Sequence, residues 1–364
     1  MESIFDGLLV EIEEGIKGKN KSISVGLPKL GKYVDIKKNM LTLIFSSTGG
    51  GKSAYIDTII LNACRNYLDN GGMKPDFQLF SMERASKLRV AKWLCTLIFI
   101  NEGVEIQLPK MMGWWDDKLS KVEHDLILKQ KEYIDAITND LVTIHDGAKT
   151  PNEIYKIMKD HYEEIGAYEE ITEKGKTKKI YHQNDENIIT IPIFDHGNLT
   201  KTTKELSTKK QAIDKLVEFA QIFRDQHNSN VIWVSQINRS ITSLTRAKDD
   251  EYEPEISDVK ESGDIGDACD VAVALFDPYR HKQSSKTGYS PSDFIDRKNG
   301  NNYFRSAHIC KASYGADSVR IPLGFLGFCG KFVELEKRND LSEKEHRELI
   351  DNILTKKYFL NNKE

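Results

Sequence analysis

The chain has 364 residues and a formal net charge of −4, with 52 lysines and arginines against 56 aspartates and glutamates. That length holds one large α/β domain or two smaller ones, and the acidic balance argues against an open basic face that coats nucleic acid, though not against a few loops gathered at a ring axis. No apolar run suggests a membrane span, the start Met1-Glu-Ser-Ile-Phe-Asp6 lacks the basic region of a secretory signal, and the cysteines (Cys64, Cys95, Cys269, Cys310, Cys329) read as reduced thiols in a cytoplasm.

Residues 3–16 carry Ile4/Phe5, Leu8/Leu9, Ile12 and Ile16 at helical spacing. Such a helix either packs on its own domain or, across the polar link Lys17–Ser22, docks on a neighbouring subunit. The strand-like run Leu41-Thr-Leu-Ile-Phe45 then ends in Ser46-Ser47-Thr48-Gly49-Gly50-Gly51-Lys52-Ser53, and residues 54–68 continue with helical spacing. Strand, Gly-rich turn and helix form the setting of a phosphate-binding loop. Backbone N–H groups converge on the phosphates, Lys52 reaches the β- and γ-phosphates, and the Ser53 hydroxyl ligands Mg²⁺. Ser46 stands where the usual G-x-x-x-x-G-K-[ST] pattern has its first Gly.

Phe77-Gln-Leu-Phe-Ser81 reads as a strand ending near Glu83, a carboxylate placed to orient an attacking water; a solvated Glu at a helix start is the alternative. A helix over 85–101 follows. Trp114 and Trp115 suit local core or, less commonly, a base-stacking platform. Leu141–Ile144 reads as a strand, and Thr150-Pro-Asn-Glu153 as a capping box opening a helix. The charged residues 166–187 suggest a surface loop or β-hairpin insertion. Ile188–Phe194 is a strand delivering Asp195 as a Mg²⁺ carboxylate. Pro192 within it implies a bulge.

A helix over 204–226 precedes the buried strand Val231–Ser235, which ends at Gln236, a neutral amide able to bond a γ-phosphate. Asp258–Gly266 reads as a polar loop, 270–276 as a strand and 278–304 as disordered or a hairpin. Strands over 306–311, 318–325 and 330–335 follow, and Ser342-Glu-Lys-Glu345 caps a last helix. Alternating strands and helices with polar residues at strand C-termini give an α/β fold, a doubly wound, mainly parallel sheet with helices on both faces.

Five stretches in this order resemble the ATPase domain of DnaB-type replicative helicases, a RecA-like P-loop NTPase fold. They are Ser46–Ser53, Phe80–Glu83, Val231–Ser240, Ser257–Ile265 and the closing Ile309–Gly315 through Lys331–Leu335. The stretch Leu141–Pro151 is also similar to the segment before that family's acidic strand. The resemblance runs from about residue 22 to 336, with 1–21 as a subunit-docking linker, 166–187 as an insertion and 337–364 as a C-terminal helix and tail. It implies ATP and Mg²⁺ as cofactors, Glu83 as base, Gln236 as sensor, and Lys260, Glu261 and Gly263 in a loop that holds single-stranded DNA. Lys331 falls where a trans-acting arginine finger is expected, and Ser313 replaces a usual Arg, with Lys311 and Arg320 as nearby substitutes.

The resemblance further implies a homo-oligomeric, hexameric motor unwinding duplex DNA, possible contact with primase or other replisome proteins, and a phage- or virus-like form without the family's N-terminal domain. A recombinase-type filament and a regulatory ATPase without unwinding activity are the alternatives.

Overall fold

The computed structural model describes residues 4–18, 22–173, 176–237, 253–259 and 263–362. From the N-terminus come α1 (Ile4–Ile16), α2 (Pro28–Val34), β1 (Met40–Ser46), α3 (Lys52–Asn70), β2 (Lys74–Ser81) and α4 (Ser86–Glu102). Three short helices follow, α5 (Leu108–Met111), α6 (Lys121–Lys129) and α7 (Lys131–Ala136), then β3 (Val142–Asp146) and α8 (Pro151–Ile165). The middle of the chain forms β4 (Gly166–Glu173), β5 (Lys176–Gln183), β6 (Ile188–Asp195), α9 (Lys209–His227) and β7 (Asn230–Gln236). The remainder holds α10 (Gly263–Ala268), β8 (Val271–Phe276), β9 (Ile295–Asp296), β10 (Asn301–Asn302), β11 (Phe304–Ala312), β12 (Val319–Leu326) and β13 (Lys331–Glu334). Two helices, α11 (Glu343–Leu354) and α12 (Lys357–Asn361), end the description.

Nine strands form one sheet in the order β13-β12-β11-β8-β1-β7-β6-β2-β3. From β8 to β3 all neighbours are parallel, whereas β11, β12 and β13 extend the sheet antiparallel. Parallel strands need crossovers, and the helices that supply them cover both faces. Along β1, Met40 and Ile44 join a core with α2 and α3, while Leu41, Leu43 and Phe45 join one with α8 and α9. The period of two that sorts them follows from the pleat. A third cluster joins α4 and β12 to the C-terminal helices through Phe99, Leu326, Ile353 and Phe359.

Helix starts follow side-chain chemistry. Ser120/Glu123, Thr150/Glu153, Thr208/Gln211 and Ser342/Glu345 all form reciprocal capping boxes. The Thr208 cap explains why α9 begins at Lys209, five residues later than the apolar spacing suggests.

Several local expectations are corrected. β6 passes Pro192 without a bulge, in register with Gln78 of β2; pairing to β7 begins only at Ile193, so the missing donor breaks no ladder bond there. Trp114 and Trp115 are not core but 59% and 47% exposed. Residues 166–183 form the antiparallel hairpin β4–β5, rooted by Tyr168 and Tyr181 packing around His227. The polar segment after β8 is ordered by the short pair β9–β10 and the buried Phe294, and part of the loop expected over 258–266 is the helix α10.

Candidate active site

Four parallel strands finish side by side. Ser46 of β1 stands opposite Gln236 of β7, and Ser81 of β2 opposite Asp195 of β6. The Ile237 amide donates to the Ser46 carbonyl at 3.2 Å and the Met82 amide to the Asp195 carbonyl at 2.9 Å, so the ladder persists beyond the strand ends. The C-terminal edge of a doubly wound sheet is where such folds bind ligands. Here it collects most of the sequence-derived candidates.

The turn from β1 to α3 needs its glycines. Gly49 and Gly51 have φ of 79° and 100°, in the left-handed region. A Cβ on Gly50 would collide with the Ser46 hydroxyl, and one on Gly51 would lie 2.8 Å from the Phe332 ring. Ser46 is fully buried. Its hydroxyl donates to the Ser47 carbonyl at 2.9 Å and accepts from the Lys52 amine at 3.3 Å. The amine also donates to the carbonyls of Ser46 (3.1 Å) and Ser47 (3.2 Å). Burial pushes the Lys52 pKa down to about 8, against the pull of Asp195 and Glu83. A lysine held this way, at the start of a 19-residue helix, is a cation aimed at an anion site.

Ser53, in the first turn of α3, donates from its hydroxyl to Asp195 Oδ1 at 3.3 Å. These two hard oxygens suit Mg²⁺, which takes one or two protein ligands and fills its shell with phosphate and water. Among the described residues no group of three or more His, Cys, Asp or Glu could hold a metal ion alone. The other Asp195 oxygen, Oδ2, accepts from Arg89 Nη1 at 2.7 Å, and Arg89 Nε donates to Asp57 Oδ1 at 2.6 Å. Arg89 is 3% exposed. Burial opposes its charge, but Asp57 and Asp195 together raise its pKa above the ordinary guanidinium value.

Glu83 is half exposed beside this edge, its carboxylate 3.5 Å from His196 Nε2. The same His196 nitrogen lies 3.4 Å from Gln236 Nε2. His196, itself buried, therefore joins the water-orienting candidate to the γ-phosphate candidate. Burial lowers its pKa against the pull of Asp195 and Glu83. Sequence reasoning passed over His196 and Arg89; their signals were weak, a residue adjoining Asp195 and a cation six positions after Glu83.

Arg280 was also missed. Its guanidinium donates to the Thr48 carbonyl and lies against Gly49, where a Cβ would strike it. Asp277 sets this loop by accepting from the Arg280 amide at 3.1 Å while pairing with buried Arg305, also at 3.1 Å.

The edge does not collect every candidate. Lys331 is 3% exposed, and its amine donates to the Phe359 and Asn362 carbonyls at 3.0 and 2.7 Å. The structure thus turns the amine inward, onto the C-terminal tail. Of the DNA-loop candidates, Lys260 and Glu261 lie outside the described residues, and Gly263 opens α10. The loop's near end is anchored, since Val259 forms an isolated antiparallel bridge with Ile237, directly after Gln236. At its far end the Lys311 amine donates to the Gly266 and Asp267 carbonyls.

A family model, the DnaB-like helicase C terminal domain, matches residues 22–332. The chain belongs to this family. It is a DnaB-like helicase domain, by class an ATP-hydrolysing DNA helicase with a RecA-like fold. One solved structure of an isolated ATPase domain is similar at a TM-score of 0.69 and 18% identity, covering 92% of this chain and all of that one. A DnaB-like replicative helicase, described together with its interactions with primase, is similar at a TM-score of 0.66 and 19% identity, covering 92% of this chain and 69% of that one. No curated protein matches the sequence.

Proposed function

We propose that this DnaB-like domain is a ring-forming motor, most simply a hexamer, that hydrolyses ATP between subunits to move along single-stranded DNA and unwind duplex. The observation that carries the proposal is the convergence of Lys52, Ser53, Asp195, Glu83 and Gln236 on one sheet edge. Lys52 holds the phosphates, Ser53 and Asp195 hold Mg²⁺, and Glu83 orients water. Mg²⁺ bound there supplies neutralisation of charge on the transferring phosphate. Gln236 senses the γ-phosphate, and the bridge Ile237–Val259 leads from it to the Lys260 loop, a short route from nucleotide to DNA.

A neighbouring subunit completes the site with a cation. Lys311 and Arg320 are the candidates, since Lys331 is buried. Helix α1, with Phe5, Val10 and Ile16 exposed at 62%, 57% and 80%, links each subunit to the next. Residues 22–336 form the ATPase domain and 337–364 its helical tail. The domain acts on DNA in the cytoplasm and can engage primase or other replisome proteins.

An unwinding assay on a forked duplex tests this directly. Wild-type protein unwinds with ATP and Mg²⁺, Lys52→Ala does not, and Lys260→Ala keeps basal ATPase but loses its stimulation by DNA. Equal stimulation in the Lys260 variant removes the loop from the DNA path. Electron microscopy with ATP and DNA separates rings from filaments.

A further inference from the structure

Arg89 is a buried side chain that touches both the phosphate-loop helix and the proposed metal carboxylate. It leaves α4 in its first turn and crosses to α3 and β6, with Nε 2.6 Å from Asp57 Oδ1 and Nη1 2.7 Å from Asp195 Oδ2. Both carboxylates are almost wholly buried, with side chains 7% and 4% exposed. Asp57 lies four residues after Ser53 on α3, one helical turn along. The guanidinium thus braces Asp195 against the helix that carries the other Mg²⁺ oxygen.

Resting on the ATP-hydrolysis reading above, we infer that Arg89 is a positioning residue for Mg²⁺: by occupying Asp195 Oδ2 it leaves Oδ1 turned toward Ser53. The selection is geometric. A buried carboxylate can rotate and offer either oxygen; one oxygen tied to a guanidinium cannot, and Oδ1 then stays 3.3 Å from the Ser53 hydroxyl. The planar fork is needed because it reaches two carboxylates in fixed directions, whereas a lysine ammonium is a single point charge. Partners behind a metal ligand orient it, and their loss typically costs about 10–100-fold in metal affinity. The same β2–α4 segment carries Glu83 and Arg89 six residues apart. One short stretch therefore positions both the water-orienting carboxylate and the metal carboxylate.

The test is a Mg²⁺ titration of binding to a fluorescent ATP analogue, followed on the full chain by fluorescence rather than turnover. Arg89→Lys is expected to bind the metal-free analogue as wild type does, and to need about 10–100-fold more Mg²⁺ for the metal-dependent gain in affinity. An unchanged Mg²⁺ requirement overturns the inference. If Arg89→Lys does not fold, judged by circular dichroism and thermal unfolding, Asp57→Asn removes the brace behind Arg89 and carries the same test. A raised Mg²⁺ requirement in that variant supports the role, and an unchanged one overturns it. Failure of the wild-type chain to bind the analogue at all strikes the nucleotide reading instead, so the two failures are distinguishable.

Discussion

The Lys331 amine donates a 3.0 Å hydrogen bond to the Phe359 carbonyl, tying the last strand of the sheet to the last helix. Phe359 is fully buried, and the neighbouring Phe332 packs its ring over Gly51 in the phosphate loop. The tail thus reaches the loop through two adjacent residues of β13. A buried ammonium with carbonyl acceptors is stable only while they stay. Deleting residues 357–364 should lower stability by roughly 3 kcal/mol, the usual cost of a buried charge that loses its partners, measurable by urea unfolding. Lys331→Met removes charge and need together and should cost less. ATPase per folded subunit in Lys331→Met should stay within a few-fold of wild type. A fall on the order of 10³, the scale of a lost trans finger, would return Lys331 to the catalytic set.

That reassignment shows where sequence reasoning stops. The phosphate loop and the strands before Asp195 and Gln236 were legible because each is a local pattern, an apolar run ending in polar residues. Their arrival on one edge followed from parallel-sheet topology. Arg89, His196 and Arg280 were not legible, because their meaning lies in partners 32 to 232 positions away. Lys331 sits on a short edge strand, where the residue alone cannot tell an exposed finger from a snorkelled, capped amine. Trp114 and Trp115 failed for a related reason: aromatic composition predicts burial on average, not which loop residues have a core to enter.

Ser46 and Lys52 make a second prediction. The serine occupies a glycine position of the usual motif, yet its hydroxyl is one of three acceptors for the amine. Ser46→Gly should bind nucleotide within about three-fold of wild type, since a single hydrogen bond is worth about 1 kcal/mol and two acceptors remain. Ser46→Val should be worse. It removes the hydroxyl and places a second branch where Gly50 already presses on the side chain. Thermal unfolding and equilibrium nucleotide binding check both variants. Loss of binding in Ser46→Gly would make the hydroxyl essential.

The lowered pKa of Lys52 has a definite pH signature. Its folded-state value of about 8 lies below the ordinary 10.5. Between those values the unfolded chain holds the proton and the folded site does not, so stability rises with pH across that window. Relative to Lys52→Met, the nucleotide-free wild type should gain about 2 kcal/mol between pH 7.5 and 9.5, if the full shift is expressed. Nucleotide affinity should move the other way, because phosphate needs the ammonium form. Parallel pH profiles for wild type and Lys52→Met would show that the amine is not desolvated.

Helix α1 carries the last prediction. Phe5, Leu8, Leu9, Val10, Ile12 and Ile16 are all at least 41% exposed, along a helix of 13 residues. Burying one such side chain contributes about 1.5–3 kcal/mol, so a row of them left in water favours association. If a neighbouring copy covers this face, deleting residues 1–21 should shift the assembly toward monomers in analytical ultracentrifugation. Unwinding should fall with it, and Leu8→Glu with Leu9→Glu should do the same without shortening the chain. Nucleotide binding by the phosphate loop should change little, because α1 lies outside the sheet that builds the loop. Hydrolysis should fall further than binding, since a cation from the next subunit is lost when the subunits part. An intact ring after the deletion would mean that contacts among the ATPase domains alone close it, leaving α1 for another partner.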